Sequence, residues 1–175
     1  RLSYFYDQRI SFFIGSKDNT GYEDLSTELD AAAQHFVDAE NYKGANIFYI
    51  KKAAWLQALQ KKYPTVEKYK FDLAPTFTSI AYYHILNGDY KSAITASNHA
   101  LATDSLYNLA YTNLALAHLF LDQYKEAEAI YATYKQELLY PFLQDFEDLE
   151  KAGIINKKRE RLYNEVQKIK WMLNE

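Results

Sequence analysis

Two histidines, His84 and His118, are the residues whose type and spacing most suggest chemistry, because they stand 34 positions apart in two similar segments. Imidazole binds metal ions and titrates near neutral pH, so the pair could form a metal site or a pH-sensitive switch. A metal site needs three or four converging ligands, and no acidic residue or cysteine joins these two. Local packing beside a neighbouring helix is therefore the favoured interpretation. His35 and His99 stand alone and indicate no site.

Known catalytic motifs are missing from the sequence. It contains no cysteine, which excludes thiol nucleophiles and thiolate-bound metals. It also lacks a Gly-rich phosphate loop, a nucleophile elbow and a helix with metal-spaced His and Glu residues. Carboxylates are numerous, but none is distinguished by its sequence context. We therefore expect no catalytic residue, no metal, no cofactor and no enzymatic activity.

Charge is unevenly placed along a chain whose net charge is −3. The basic run KKRER at 157–161 is diluted by nearby glutamates, and it is typical of the solvated face of a helix, so no nucleic-acid partner is expected. An acidic stretch at 23–40 is also interpreted as a solvated face. The alternative is that this stretch selects a basic partner.

Hydrophobic runs are too short to cross a bilayer. The longest, at 114–121, is interrupted by His118 and falls far below the ~20 residues that a spanning helix requires. We therefore expect a soluble protein, and the sequence leaves the cytoplasm and the periplasm both open. Because the chain starts at Arg1 rather than Met, we interpret it as part of a longer protein.

An internal repeat indicates which elements position these residues. Residues 74–107 and 108–141 align at an offset of 34, and the shared small residues predict close crossings of paired helices. Gly88 and its equivalent Asp122 fall where the turn between the helices needs a positive φ. The identical pairs are Thr78 and Thr112, Ala81 and Ala115, His84 and His118, Tyr90 and Tyr124, Lys91 and Lys125, and Ala93 and Ala127.

This period and these residue types resemble the tetratricopeptide repeat, a helix-turn-helix unit. The segment FLQDFEDLEKAGI, followed by a charged helix, also resembles the end of some bacterial tetratricopeptide proteins. The resemblance implies an all-α, right-handed α-solenoid of antiparallel helix pairs. The implied layout is an N-terminal helix and loop at 1–25, a degenerate pair with an extended second helix at 26–63, a connector at 64–73, repeats at 74–107 and 108–141, and capping helices at 142–175.

In this family the concave groove is lined by fixed positions of each first helix. The matching positions here are mostly apolar, and an exposed groove of that kind needs a cover. Either a partner's helix or peptide fills it, or this chain does so with residues 142–149 or its aromatic N-terminus. Some family members grip a carboxylate with groove lysines and arginines, which are missing at these positions. The predicted groove residues are Thr78, Tyr82, Ile85, Leu86, Thr112, Leu116, Leu119 and Phe120.

The resemblance predicts a non-catalytic scaffold that binds a protein or peptide, whose identity the sequence does not give. Two alternatives remain open. One is a structural spacer or self-association module, which would form a homo-oligomer, and the other is a regulatory appendage of a larger enzyme. For the groove, the sequence predicts that Leu116→Asp with Phe120→Asp abolishes partner capture and leaves helicity intact.

Overall fold

A computed structural model describes residues 2–15 and 21–175, and within those ranges all regular structure is helical. The all-α prediction is therefore confirmed. Residues 16–20 of the predicted loop lie outside the described ranges. The eight helices are α1 (Leu2–Gly15), α2 (Tyr22–Asp38), α3 (Tyr42–Lys62), α4 (Glu67–Leu86), α5 (Tyr90–Thr103), α6 (Ala110–Phe120), α7 (Tyr124–Lys151) and α8 (Glu160–Asn174).

Each helix from α2 to α7 packs against the next helix in the chain. In addition, α4 packs against α6, and α1 packs against α3. Packing between consecutive helices is compatible with a helical repeat. It leaves α4 in contact with α3, α5 and α6, and we refer to α4 as the central helix.

One turn geometry recurs within the predicted helix pairs. After α2, α4 and α6, and again after α7, a residue with positive φ ends the helix, and the next backbone N–H donates to the carbonyl five residues earlier. Glycine adopts this conformation freely, and Asp tolerates it, which explains Asp122 in place of Gly88. The left-handed residues are Glu40 (φ 54°), Gly88 (φ 77°), Asp122 (φ 67°) and Gly153 (φ 69°).

The repeated alanines lie where the sequence predicts close crossings. Ala81, Ala93, Ala115 and Ala127 are all fully buried. A larger side chain at any of these crossings would push two helices apart.

Two helix boundaries differ from the sequence-based prediction. The predicted connector at 64–73 becomes helical from Glu67, so Pro75 lies inside α4 rather than in its first turn. Pro75 removes one backbone hydrogen bond from the helix, which destabilises it. Burial of Tyr69 and Leu73, each 2% exposed, contributes free energy that offsets this cost. Similarly, α7 continues through Pro141, with a kink at Leu138 (φ −117°, ψ 15°) that accommodates the proline.

Side chains of these helices form two hydrophobic clusters. The N-terminal cluster surrounds Trp55 and joins α1 to α5, with Ala110 of α6 at its edge. The C-terminal cluster surrounds Tyr131, Phe142 and Phe146 and joins the end of α4 to α5, α6, α7 and α8. The chain is therefore held by two cores that meet along α4, α5 and α6.

We expect Gly44→Ala to destabilise the protein although alanine favours helices. A Cβ at Gly44 would overlap the Phe36 ring, lying 2.8 Å from Cγ and 2.9 Å from Cε1, and that ring is stacked on Phe48. Overpacking of this kind costs roughly 1–3 kcal/mol. Chemical denaturation measures the loss, and Gly15→Ala is the control because no atom lies within 4 Å of a Cβ there. A Gly44→Ala variant as stable as the native protein would contradict the close crossing.

Candidate functional site

Two depressions lie side by side along α4. The first, which we call the Asp145 cavity, has a volume of about 380 Å³ and lies between α4, the start of α6 and the second half of α7. The second, the Lys52 cleft, has a volume of about 420 Å³ and lies between α2, α3 and α4. Ser79 lines both of them, so the two form one surface along the central helix.

The predicted groove residues divide between this surface and the core. Thr78, Tyr82 and Thr112 line the Asp145 cavity. In contrast, Ile85, Leu116 and Leu119 are at most 2% exposed, inside the C-terminal cluster. Leu86 and Phe120 are partly buried against the same cluster, where Phe120 stacks on Tyr90 with ring centroids 4.9 Å apart.

The chain itself covers the apolar part of the predicted groove. Phe142, Phe146 and Leu149, all in the second half of α7, belong to the same cluster as Leu116 and are at most 1% exposed. This shared burial favours the self-filling alternative that the sequence left open. Ile85, Leu116 and Leu119 are therefore closed to a partner, whereas Leu86, Phe120 and the residues that line the Asp145 cavity are more accessible.

Asp145 is the functional candidate that sequence reasoning missed. The side chain lines the cavity, while its Oδ2 atom is fully buried and has no hydrogen-bond partner. Burial raises the pKa of this carboxyl to about 7; proximity to the Thr112 hydroxyl lowers it, and the charge of Asp148 raises it. Asp145 is therefore a carboxyl that changes its charge near neutral pH.

Two tyrosines share the electrostatic environment of Asp145. Burial, followed by the fields of Asp145 and Asp148, raises the pKa of Tyr82 to about 12. Tyr131 is 1% exposed, its hydroxyl has no hydrogen-bond partner, and burial followed by the field of Asp145 raises its pKa. Both tyrosines thus stay neutral, and neither supplies a positive charge.

In the Lys52 cleft, carboxylates form ion pairs with lysines of the chain. Lys52 Nζ lies 2.6 Å from Asp30 Oδ2, and Lys68 Nζ lies 3.0 Å from Glu23 Oε1 and 3.7 Å from Asp72 Oδ2. The Tyr22 hydroxyl also donates to Asp72, at 2.5 Å. The acidic stretch noted in the sequence thus contributes Glu23 and Asp30 to this cleft, where lysines of the chain pair with both.

No family model, curated protein or solved structure matches this chain.

The two repeated histidines each bond within their own turn. His84 Nδ1 lies 3.5 Å from Asp89 Oδ2, and His118 Nδ1 lies 2.6 Å from Gln123 Oε1. Burial lowers the pKa of His84, although Asp89 raises it in part. Among the described residues, no group of three or more His, Asp or Glu side chains could hold a metal ion. These contacts support the local packing role for both histidines.

A third depression lies on another side of α4. Its volume is about 390 Å³, and it brings His84 together with His99, which the sequence gave no reason to pair. The His99 ring meets Phe77 edge to face, with centroids 5.2 Å apart. Its remaining lining is largely alanine and isoleucine, so it lacks the charged groups found along the other two depressions.

No helix in the described ranges is long and apolar enough to cross a bilayer. This agrees with the short hydrophobic runs of the sequence.

Proposed function

We propose that this chain is a non-catalytic module of the tetratricopeptide type that binds an extended peptide segment of a protein partner along α4. The observation that carries the proposal is the pair of depressions joined at Ser79, which together form a continuous polar surface. A surface of this shape suits a peptide that lies across several helices, since each depression can accept one side chain.

The repeat assignment is supported by local geometry. A left-handed residue at the same place in three successive helix pairs, followed by a hydrogen bond of the same type, is expected when one unit is repeated. Buried alanines at equivalent positions of two units give further support. In the proposed architecture these pairs stack with a right-handed superhelical sense, and α8 caps the stack.

A binding role is favoured over catalysis because the hydroxyls of the surface are used structurally. Thr78 Oγ1 donates to the Ala74 carbonyl oxygen at 3.1 Å, and Ser79 Oγ donates to the Pro75 carbonyl oxygen at 3.2 Å. A catalytic hydroxyl instead needs a base that accepts its proton. These side chains are therefore arranged as acceptors for a ligand.

Selection from a peptide display library tests the proposal. We expect the chain to enrich a defined peptide, and we expect Ser79→Trp to weaken its binding at least about tenfold, because the indole fills the junction of both depressions. Thr95→Trp on α5 is the matched control, since Thr95 Oγ1 makes the same type of bond, to the Lys91 carbonyl oxygen at 3.2 Å, away from this surface. Equal binding by both folded variants would refute the site.

A second candidate, a structural spacer or self-association module, is favoured by one observation. Phe142, Phe146 and Leu149 of α7 belong to the same buried cluster as Ile85, Leu116 and Leu119, as expected if the chain itself fills the apolar groove. Sedimentation equilibrium separates the two candidates. A monomer that binds a selected peptide supports the first, and a self-associating chain that enriches no peptide supports the second.

A further inference from the structure

The Asp145 cavity presents hydrogen-bond acceptors to any ligand that enters it. The hydroxyl groups of Thr78 and Ser79 donate their hydrogens to backbone carbonyl oxygens of α4. Their oxygen atoms can therefore act only as hydrogen-bond acceptors for a ligand. Asn113 is 3% exposed, and its Nδ2 donates to the Thr78 carbonyl oxygen at 2.9 Å, which leaves Oδ1 as a further acceptor and the second Nδ2 hydrogen as a donor. A lining of acceptors selects a ligand that carries several N–H donors.

Asp145 and Asp148 line this cavity, and no lysine or arginine of the described residues lines it with them. Lys151 interacts with the charge of Asp148. Nearby cations are engaged elsewhere: Lys52 pairs with Asp30, Lys68 with Glu23, and Lys151 with Glu147 at 2.7 Å. Because a carboxylate with one oxygen enclosed is poorly solvated, a cation brought by a ligand would compensate it.

We infer that the Asp145 cavity binds a cationic side chain of the partner peptide, an ammonium or guanidinium group, against the Asp145 carboxylate. The inference rests on the proposed peptide-binding function and specifies its ligand chemistry. A cation there would donate to Asp145 and to the acceptors of Thr78, Ser79 and Asn113.

A divalent metal ion is a poorer match for this cavity. Calcium prefers six to eight oxygen ligands, and magnesium requires near-octahedral geometry. Only two carboxylates line the cavity, and Asp148 already accepts a hydrogen bond from Gln144 Nε2 at 2.8 Å. A side-chain cation needs fewer ligands and fills more of the available volume.

Binding of the cation should strengthen as pH rises, because the ligand requires the ionised carboxylate. The titratable groups that face Asp145 are Asp148 on the same helix, Tyr131 in the first half of α7 and Tyr82 on α4. From α6 come Thr112 and Asn113, neither of which titrates. We therefore expect tighter binding at pH 8 than at pH 6.

Titration with n-butylammonium and ethylguanidinium chloride, which mimic lysine and arginine side chains, tests the inference without a known partner. The carboxyl ¹³C resonance of Asp145 and the side-chain amide of Asn113 report binding at pH 8. We expect saturable shifts with at least one cation, weakened about 10-fold or more by Asp145→Asn, because the variant loses the charge-assisted hydrogen bond to the ligand. The neutral isostere n-butanol should produce no saturable shift.

The outcomes separate this inference from the proposed function. Shifts that are equal for butylammonium and butanol, or that persist in Asp145→Asn, overturn the cation site. The same holds if peptides selected by display bind equally well when their Lys and Arg residues are replaced by norleucine. In that case the peptide-binding function stands without the cation. Conversely, saturable binding of butylammonium with no enriched peptide supports the cation site and overturns the peptide-binding function.

Discussion

Leu116→Asp is expected to unfold the C-terminal part of the chain. Leu116 is 1% exposed and belongs to the cluster that joins Ile85 of α4 to Phe142 and Phe146 of α7. Loss of a buried leucine costs roughly 2–5 kcal/mol, and an unpaired buried carboxylate adds several more. The total approaches the roughly 5–15 kcal/mol by which most domains are stable.

This expectation corrects the sequence-based one, in which Leu116→Asp with Phe120→Asp removes partner binding and leaves helicity intact. Circular dichroism and thermal unfolding measure the effect. Leu106→Asp is the matched control, because Leu106 is 85% exposed and surface changes usually stay within about 0.5 kcal/mol. If Leu116→Asp keeps native helicity and melting temperature, α7 does not cover the groove as described.

Local features of the fold were predictable from the sequence because they depend on residues close together in the chain. A 34-residue period, with Gly88 and Asp122 in equivalent turns, is enough to place helix pairs. Small residues such as Ala81 and Ala115 mark crossings because nothing larger fits there. The end of α3 at Lys62 was predictable because Pro64 disfavours a helical conformation at the residue before it.

Tertiary contacts account for what was missed. Helix α4 starts at Glu67, well before Pro75, because Tyr69 and Leu73 pack into a core formed with other helices. Local sequence rules do not predict this packing. Beyond residue 141 the repeat ends, so no period indicates that the second half of α7 returns over the groove. Asp145 is one carboxylate among many in the sequence, and its burial depends on α4 and α6. Nothing in its own neighbourhood distinguishes it from Asp148.

Asp145→Asn is expected to stabilise the protein at alkaline pH and to change little near pH 4. Burial raises the pKa of Asp145 to about 7, above the roughly 3.9 of an unfolded aspartate. Between these values the folded state holds a proton that the unfolded state has lost, so the native protein loses stability as pH rises. The loss is about 1.4 kcal/mol per pH unit, at most about 4 kcal/mol above pH 7. Asparagine carries no charge at any pH, and therefore avoids this cost.

Denaturant unfolding at pH 5 and pH 8 isolates the effect, because other titrating groups contribute equally to both proteins. The stability advantage of Asp145→Asn should grow by about 2–3 kcal/mol between these pH values. Asp24→Asn, at an exposed position in the first turn of α2, is the control, and its free energy of unfolding should differ from that of the native protein by less than about 1 kcal/mol at either pH.

If the stability difference between Asp145→Asn and the native protein is the same at pH 5 and pH 8, Asp145 is ionised in the folded protein at no cost in stability. In that case a cation of the chain would already lie beside it, and the charge that we assign to an incoming ligand would be supplied by the chain.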